Sequence, residues 1–316
     1  MRFLIIVLVL VASNTNVYTQ ACCCTSAGAN YSILPNLNKQ VIGLRYAYSN
    51  YSTTISATHT HMMGGKEMVM TDLGKAGTQS MNTLELFGRF NLYKGLQLSV
   101  FVPVHMLAEK ADGKTQRTSG LGDMSLLLQY SLLNPLKCDG KKAKHQLRVG
   151  AGAKLPSGEF KLNSSDAFTS ALQLGTGSVD FLTNAVYTFR FKKFGFNTSA
   201  AYKINTTNSQ GYRFGNKIQT GANFFFVLDI KEIKLMPSVG FNYEHQFKNS
   251  NQKLQLDYTG GDYLNASVGF DVYYKQFAFS SSVSPAVMNK LNWPGENKNR
   301  FYIEAGVFYN FSMTKK

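Results

Sequence analysis

Arg300-Phe301-Tyr302-Ile303-Glu304-Ala305-Gly306-Val307-Phe308-Tyr309-Asn310-Phe311 is the stretch that decides the fold. Phe301, Ile303, Ala305, Val307, Tyr309 and Phe311 form one apolar row. Tyr302, Glu304, Gly306, Phe308 and Asn310 form a second row that is mostly polar or small. A period of two marks a strand with one apolar face and one wetter face. A transmembrane β-barrel closes on its first strand with an aromatic-rich strand of this kind. One strand proves nothing, but the pattern recurs about eleven more times along the chain.

The alternation predicts strands at about 40–50, 82–92, 96–106, 122–133, 145–155, 179–189, 194–205, 216–228, 235–247, 263–274 and 277–285, before the closing strand at 300–311. In the first, Ile42, Leu44, Tyr46 and Tyr48 oppose Gly43, Arg45 and Ala47. In the second, Leu84, Leu86, Phe90 and Leu92 oppose Glu85, Phe87, Arg89 and Asn91. Long links (51–81, 107–121, 156–178, 206–215, 248–262, 286–299) alternate with short ones at Tyr93, Arg190, Asp229 and Lys275. That alternation is the signature of long outer loops and short periplasmic turns, with both termini periplasmic. The link at 134–144 is longer than a periplasmic turn should be. The expected fold is all-β, an antiparallel transmembrane β-barrel of about twelve strands. A soluble β-sandwich would not explain long apolar rows capped by Tyr and Phe.

Composition agrees. Of 316 residues, 16% are charged and 13% aromatic, and mean hydropathy is −0.15. A soluble domain carries about a quarter charged residues. In a barrel, lipid-facing and lumen-facing residues cancel in the average. Residues 1–21 read as a secretory signal: Arg2, an apolar run from Phe3 to Ala12, then a polar stretch with cleavage near Ala21. Residues 22–39 form an N-terminal periplasmic segment long enough to plug the lumen, 40–312 the barrel, and 313–316 a tail. The location implied is the bacterial outer membrane. The net charge of +15 invites a nucleic-acid reading, but the lysines fall in predicted turns and tails and make no single stripe. A basic rim against an anionic membrane surface accounts for them.

The inward rows read as a pore lining. They hold Arg45, Arg89, Arg148, Lys154, Lys203 and Lys217, against Glu85, Asp123, Asp180, Glu244, Asp271 and Glu304. The two sets match in number, so charges paired across a narrow lumen are expected in place of a selectivity ring of one sign. Purely structural pairs give the same pattern.

Two clusters suggest Cu or Zn. Cys22-Cys23-Cys24 is a soft-metal site, a lipidation site at Cys22 without the usual apolar residue ahead of it, or a partner for Cys138. His59 and His61 with Met62 and Met63, followed by Met68 and Met70, combine imidazole and thioether in the longest outer link. No catalytic constellation is legible. A lipid-modifying barrel enzyme needs a His–Ser pair on a lipid-facing edge, whereas His105 reads as inward and His145 as periplasmic.

Three Gly-rich motifs occur in order: Gly120-Leu121-Gly122-Asp123-Met124, then Gly150-Ala151-Gly152-Ala153-Lys154-Leu155-Pro156-Ser157-Gly158, then Leu174-Gly175-Thr176-Gly177-Ser178-Val179-Asp180. Over roughly 120–215 the sequence resembles the outer-membrane barrel family named for the MetA pathway of phenol degradation. That resemblance implies an outer-membrane transporter of small aromatic or other hydrophobic solutes. Its partners would be outer-membrane lipid, the solute, and the barrel-assembly machinery engaging the closing strand. A metal-handling envelope barrel is the alternative reading, and a lipid-modifying enzyme the third.

Overall fold

The computed structural model describes residues 40–54, 57–63, 66–72, 76–111, 114–133, 143–160, 173–256, 259–291 and 301–312, with backbone alone for 51–77, 111 and 291 where these are included. The signal at 1–21, the segment 22–39 with Cys22, Cys23 and Cys24, Cys138, and the tail 313–316 lie outside the described residues.

Twelve strands form the wall: β1 (Gln40–Thr54), β2 (Ala76–Tyr93), β3 (Leu96–Ala111), β4 (Ser125–Leu133), β5 (Lys144–Lys154), β6 (Asp180–Phe191), β7 (Phe194–Ile204), β8 (Lys217–Phe226), β9 (Ile233–Gln246), β10 (Gly261–Tyr274), β11 (Phe277–Leu291) and β12 (Phe301–Phe311). Each pairs antiparallel with its neighbours in sequence. The closing strand β12 pairs with β1, from Gln40 opposite Phe311 to Asn50 opposite Phe301. The sheet is therefore a closed antiparallel barrel of 12 strands. Both ends of its wall lie beside the short turns. Lys192, Lys231 and Lys275 open three of these turns at φ of 52°, 53° and 53°. The left-handed conformation matches the twist of tight hairpins.

The strands differ from expectation at the long-loop end, where they run further. β1 continues to Thr54, β2 starts at Ala76, and β3 reaches Ala111 before folding back as a strand at Lys114–Leu121. The link 51–81 also contains a separate hairpin, Ala57–Met63 with Lys66–Asp72. Past the lipid both faces of a strand meet water, so the ladder continues while the apolar alternation fades. The 18 residues of β2 span roughly 60 Å at about 3.3 Å per residue, well beyond an apolar band about 25 Å tall.

Within the band, alternation sorts the faces. Leu86 is 51% exposed, while its neighbours Glu85 and Phe87 are 3% and 2% exposed. Leu44, Leu128, Phe181, Phe224, Phe241, Phe279 and Val307 are exposed on other strands. A soluble protein rarely shows apolar patches beyond a few hundred Å². An apolar exterior around a closed barrel is the surface that faces outer-membrane lipid.

The inward rows were read as polar, and here the structure adds a layer. Val41, Phe87, Phe101, Leu127, Phe225, Val227, Met236, Tyr273, Ala278 and Phe308 form a buried apolar cluster inside the wall, towards the short-turn end. Gly195 makes room for the Phe225 ring, because a Cβ there would lie 2.0 Å from it.

Candidate functional site: a divided, charge-lined lumen

The twelve residues read as pore-lining all lie inside the wall, and nine of them form three charged groups. Arg45 on β1 faces Glu85, its register partner on β2, in a short ion pair. It also reaches Glu304 on β12 at 3.3 Å. One guanidinium thus stitches the seam where the last strand closes on the first. Lys217 on β8 pairs with Glu244 on β9 at 2.7 Å, and Gln219 donates to the same carboxylate at 2.7 Å.

The third group gathers Asp123, Lys154, Asp180 and Lys203. Lys154 Nζ is in close contact with Asp123 and lies 3.0 Å from Asp180, which Lys203 approaches at 3.7 Å. The local backbone explains why these residues meet. Between Leu121, which pairs with Val104, and Ser125, which pairs with Phe101, three residues oppose two. The ladder bulges and re-aims Asp123. Gly122 is needed there, since a Cβ would come within 2.4 Å of the His105 ring.

Asp123 then accepts hydrogen bonds from Gly158 N at 3.0 Å, Thr176 N at 2.8 Å and Thr176 Oγ1 at 3.0 Å. Ser157 Oγ donates to Gly122 O at 2.7 Å and accepts from Met124 N at 2.8 Å. Ser178 Oγ and Thr206 N both donate to Asp180 Oδ1 at 2.9 Å. The three Gly-rich motifs are thus one hydrogen-bonded unit with Lys154 at its centre.

This unit adds to the reading of 156–178 as a long link. Leu174 is buried against Met81 and Leu107, inward-facing residues of β2 and β3. The described part of the link therefore turns into the barrel mouth. Asn208 holds it there by donating to Thr176 O at 2.9 Å. Above it, Tyr212–Arg213, Ser250–Asn251 and Leu254–Gln255 form a small sheet. Tyr212, Phe214 and Phe160 pack together, with ring centroids 4.9–6.0 Å apart.

Arg89, Arg148 and Asp271 lie apart from these three groups. Two cavities account for their positions. The larger has a volume of about 50 Å³ and is lined by Arg45, Asp271, Glu304, Asn223 and a row of serines on β9, β10 and β11, with Phe87 and Phe308. The smaller, about 10 Å³ and so room for about one water, is lined by Arg89, Arg148, Ser99, Gln129 and Asn184, with Phe87, Phe101, Leu127 and Val186. Phe87 borders both. Its ring stacks on Phe101 at 5.3 Å and meets Phe308 edge-on at 6.1 Å. Sequence parity placed Phe87 inward, but its meeting with Phe101 and Phe308 depends on registers between distant segments.

Of the metal-ligand candidates, Cys22, Cys23 and Cys24 lie outside the described residues. His59, His61, Met62 and Met63 fall in the hairpin of the long link 51–81, whose register sets His59 opposite Met70 and His61 opposite Met68. Among the described residues no group of three or more His, Cys, Asp or Glu could hold a metal ion. His105 is inward, with Nδ1 2.9 Å from Thr83 Oγ1. His145 Nδ1 lies 2.6 Å from the Tyr187 hydroxyl on the exposed side.

No protein-family model and no curated protein matches the sequence, so the resemblance at the Gly-rich motifs has no support from whole-family comparison. Solved structures do match. An outer membrane channel from Pseudomonas putida F1 is 16% identical, with a TM-score of 0.62 over 89% of this chain and 98% of that one. The β domain of the Bordetella autotransporter BrkA is 12% identical, with a TM-score of 0.48 over 87% of this chain and 100% of that one. A FadL homologue from Pseudomonas aeruginosa is 9% identical, with a TM-score of 0.42 over 87% of this chain and 91% of that one. At 16% identity the likeness to the P. putida channel is one of fold, and that fold is the outer-membrane β-barrel.

Proposed function

We propose that the protein is an outer-membrane channel that passes a small solute, aromatic or otherwise hydrophobic, through its lumen. The observation that carries this reading is the position of Phe87 between two small cavities among the described residues. A barrel with a purely structural interior fills it with side chains. This one leaves small spaces on both sides of Phe87 with polar groups in their lining, the kind of surface along which a solute moves. In this reading the twelve charged residues line the pore and the short-turn end faces the periplasm. The barrel-assembly machinery engages β12. The P. putida structure of similar fold is described as a channel, and the resemblance to the phenol-degradation family supports an aromatic solute.

Swelling of proteoliposomes tests the solute class. Swelling that is faster in small aromatic solutes than in sugars of similar mass supports the reading. No swelling above empty vesicles with any small solute contradicts it.

A second reading rests on the outer hairpin, where two histidines stand opposite two methionines in register. Saturable copper binding by the full chain, lost when His59, His61, Met62 and Met63 are all replaced, is its expected result.

A further inference from the structure

The larger cavity has two unlike sides. Arg45, Phe87 and Phe308 project into it from β1, β2 and β12, whereas Ser238, Ser267, Ser280 and Ser282 line it from β9, β10 and β11. The register sets Gly269 between Ser238 and Ser282, and Ser280 between Asp271 and Gly306. Side chains this small leave the space of about 50 Å³, room for about four waters.

Asp271 is the charged group on the serine side. It lines the space at 5% exposure, and Ser280 donates to it. Among the described residues no Lys, Arg or His lies within 4 Å of its carboxylate. Arg45, in the same lining, lies between Glu85 and Glu304. The charge that acts on Asp271 is that of Glu304, also negative. A carboxylate held out of water either meets a cation or takes up a proton. Hydroxyl and carboxylate oxygens around a few waters are the ligands of a hard cation. A single carboxylate without a cation matches a single positive charge. We propose that this cavity is a site for a partly hydrated monovalent cation, anchored by Asp271, and that Asp271 gives the channel a preference for cations. This rests on the channel reading and adds an ion preference set on the β9–β11 side of the lumen.

The test makes two measurements on the refolded full chain. The first is the reversal potential of single channels in a planar bilayer under a potassium chloride gradient. Potassium should permeate at least about threefold more readily than chloride. Asp271→Asn, of nearly the same volume, should abolish the preference, and Asp271→Glu should keep it. Asp229→Asn removes an equal charge from an exposed short turn and should leave the preference unchanged. The second measurement is the temperature at which the heat-modifiable gel band is lost, in potassium chloride against choline chloride at equal concentration. Potassium should stabilise the wild-type barrel in a saturable way, and folded Asp271→Asn should lose that difference. Equal permeability of the two ions in the wild type, or a preference unchanged in Asp271→Asn, overturns the proposal. So does equal stability in potassium and choline, the result expected if Asp271 carries a proton. A silent barrel that potassium stabilises through Asp271 keeps the site and refutes the channel. A barrel that conducts without ion preference does the reverse.

Discussion

The rings of Phe87 and Phe101 stack with centroids 5.3 Å apart, on a wall between two cavities of the barrel interior. Removing the Phe87 ring joins the two spaces. Phe87→Ala should raise single-channel conductance at least about twofold, since the narrowest section of a series path dominates its resistance. The wall loses packing worth about 3–5 kcal/mol at most, so the barrel should still refold. An unchanged conductance places the constriction elsewhere.

Arg45 holds Glu85 and Glu304 across the closing seam. Arg45→Gln leaves two buried carboxylates facing each other without their cation. Breaking a buried pair in this way costs about 3–5 kcal/mol. The barrel should therefore lose its heat-resistant band on gels at a lower temperature. Adding Glu85→Gln should return part of that loss, because it removes one of the stranded charges. No recovery in the double variant would show that Arg45 acts through packing alone.

Asp123 gathers Lys154 and the amides of Gly158 and Thr176. Asp123→Asn removes the charge and gives the Lys154 ammonium an amide in its place. The inward link at 173–179 should then open more often. Hydrogen exchange at the Thr176 amide should speed up about tenfold or more, with the β-ladders unchanged. Lys154→Met should act in the same direction. An unaltered Thr176 exchange rate in both variants contradicts a role for Asp123 and Lys154 in holding the link.

Leu86 is exposed on β2, and its environment decides the sign of a substitution. If that face meets lipid, Leu86→Arg destabilises the barrel by roughly 2–4 kcal/mol near the midplane. If it met water, the change would be close to neutral. Urea unfolding of vesicle-inserted protein distinguishes the two outcomes.

The wall was legible because a strand with one face in lipid and one in the lumen must alternate. Each expected strand, from the one holding Arg45 to the one holding Glu304, is present. The upper parts of β1 to β3 were not legible, since Tyr51–Thr54 and Ala108–Ala111 lie where the apolar rule lapses. The carboxylates of Asp123 and Asp180 could be placed at the long-loop end of the wall by their Gly-rich surroundings. That both share Lys154 was beyond sequence, because the contact depends on a bulge at Gly122 and an inward turn of the link. Leu174 gave the available hint, a lone large apolar residue ahead of a Gly/Ser/Thr run in a link expected to face water. The apolar layer escaped notice for a similar reason. Parity puts Phe87 and Phe308 inside, but only the register shows that they share one level.

Single-channel recording of the refolded full chain in a planar bilayer tests the central claim most directly. The account predicts discrete, reproducible current steps from the wild-type barrel, and larger steps from Phe87→Ala. A barrel that is folded by its gel shift yet silent in both forms would contradict it, leaving a closed structural barrel in place of a channel.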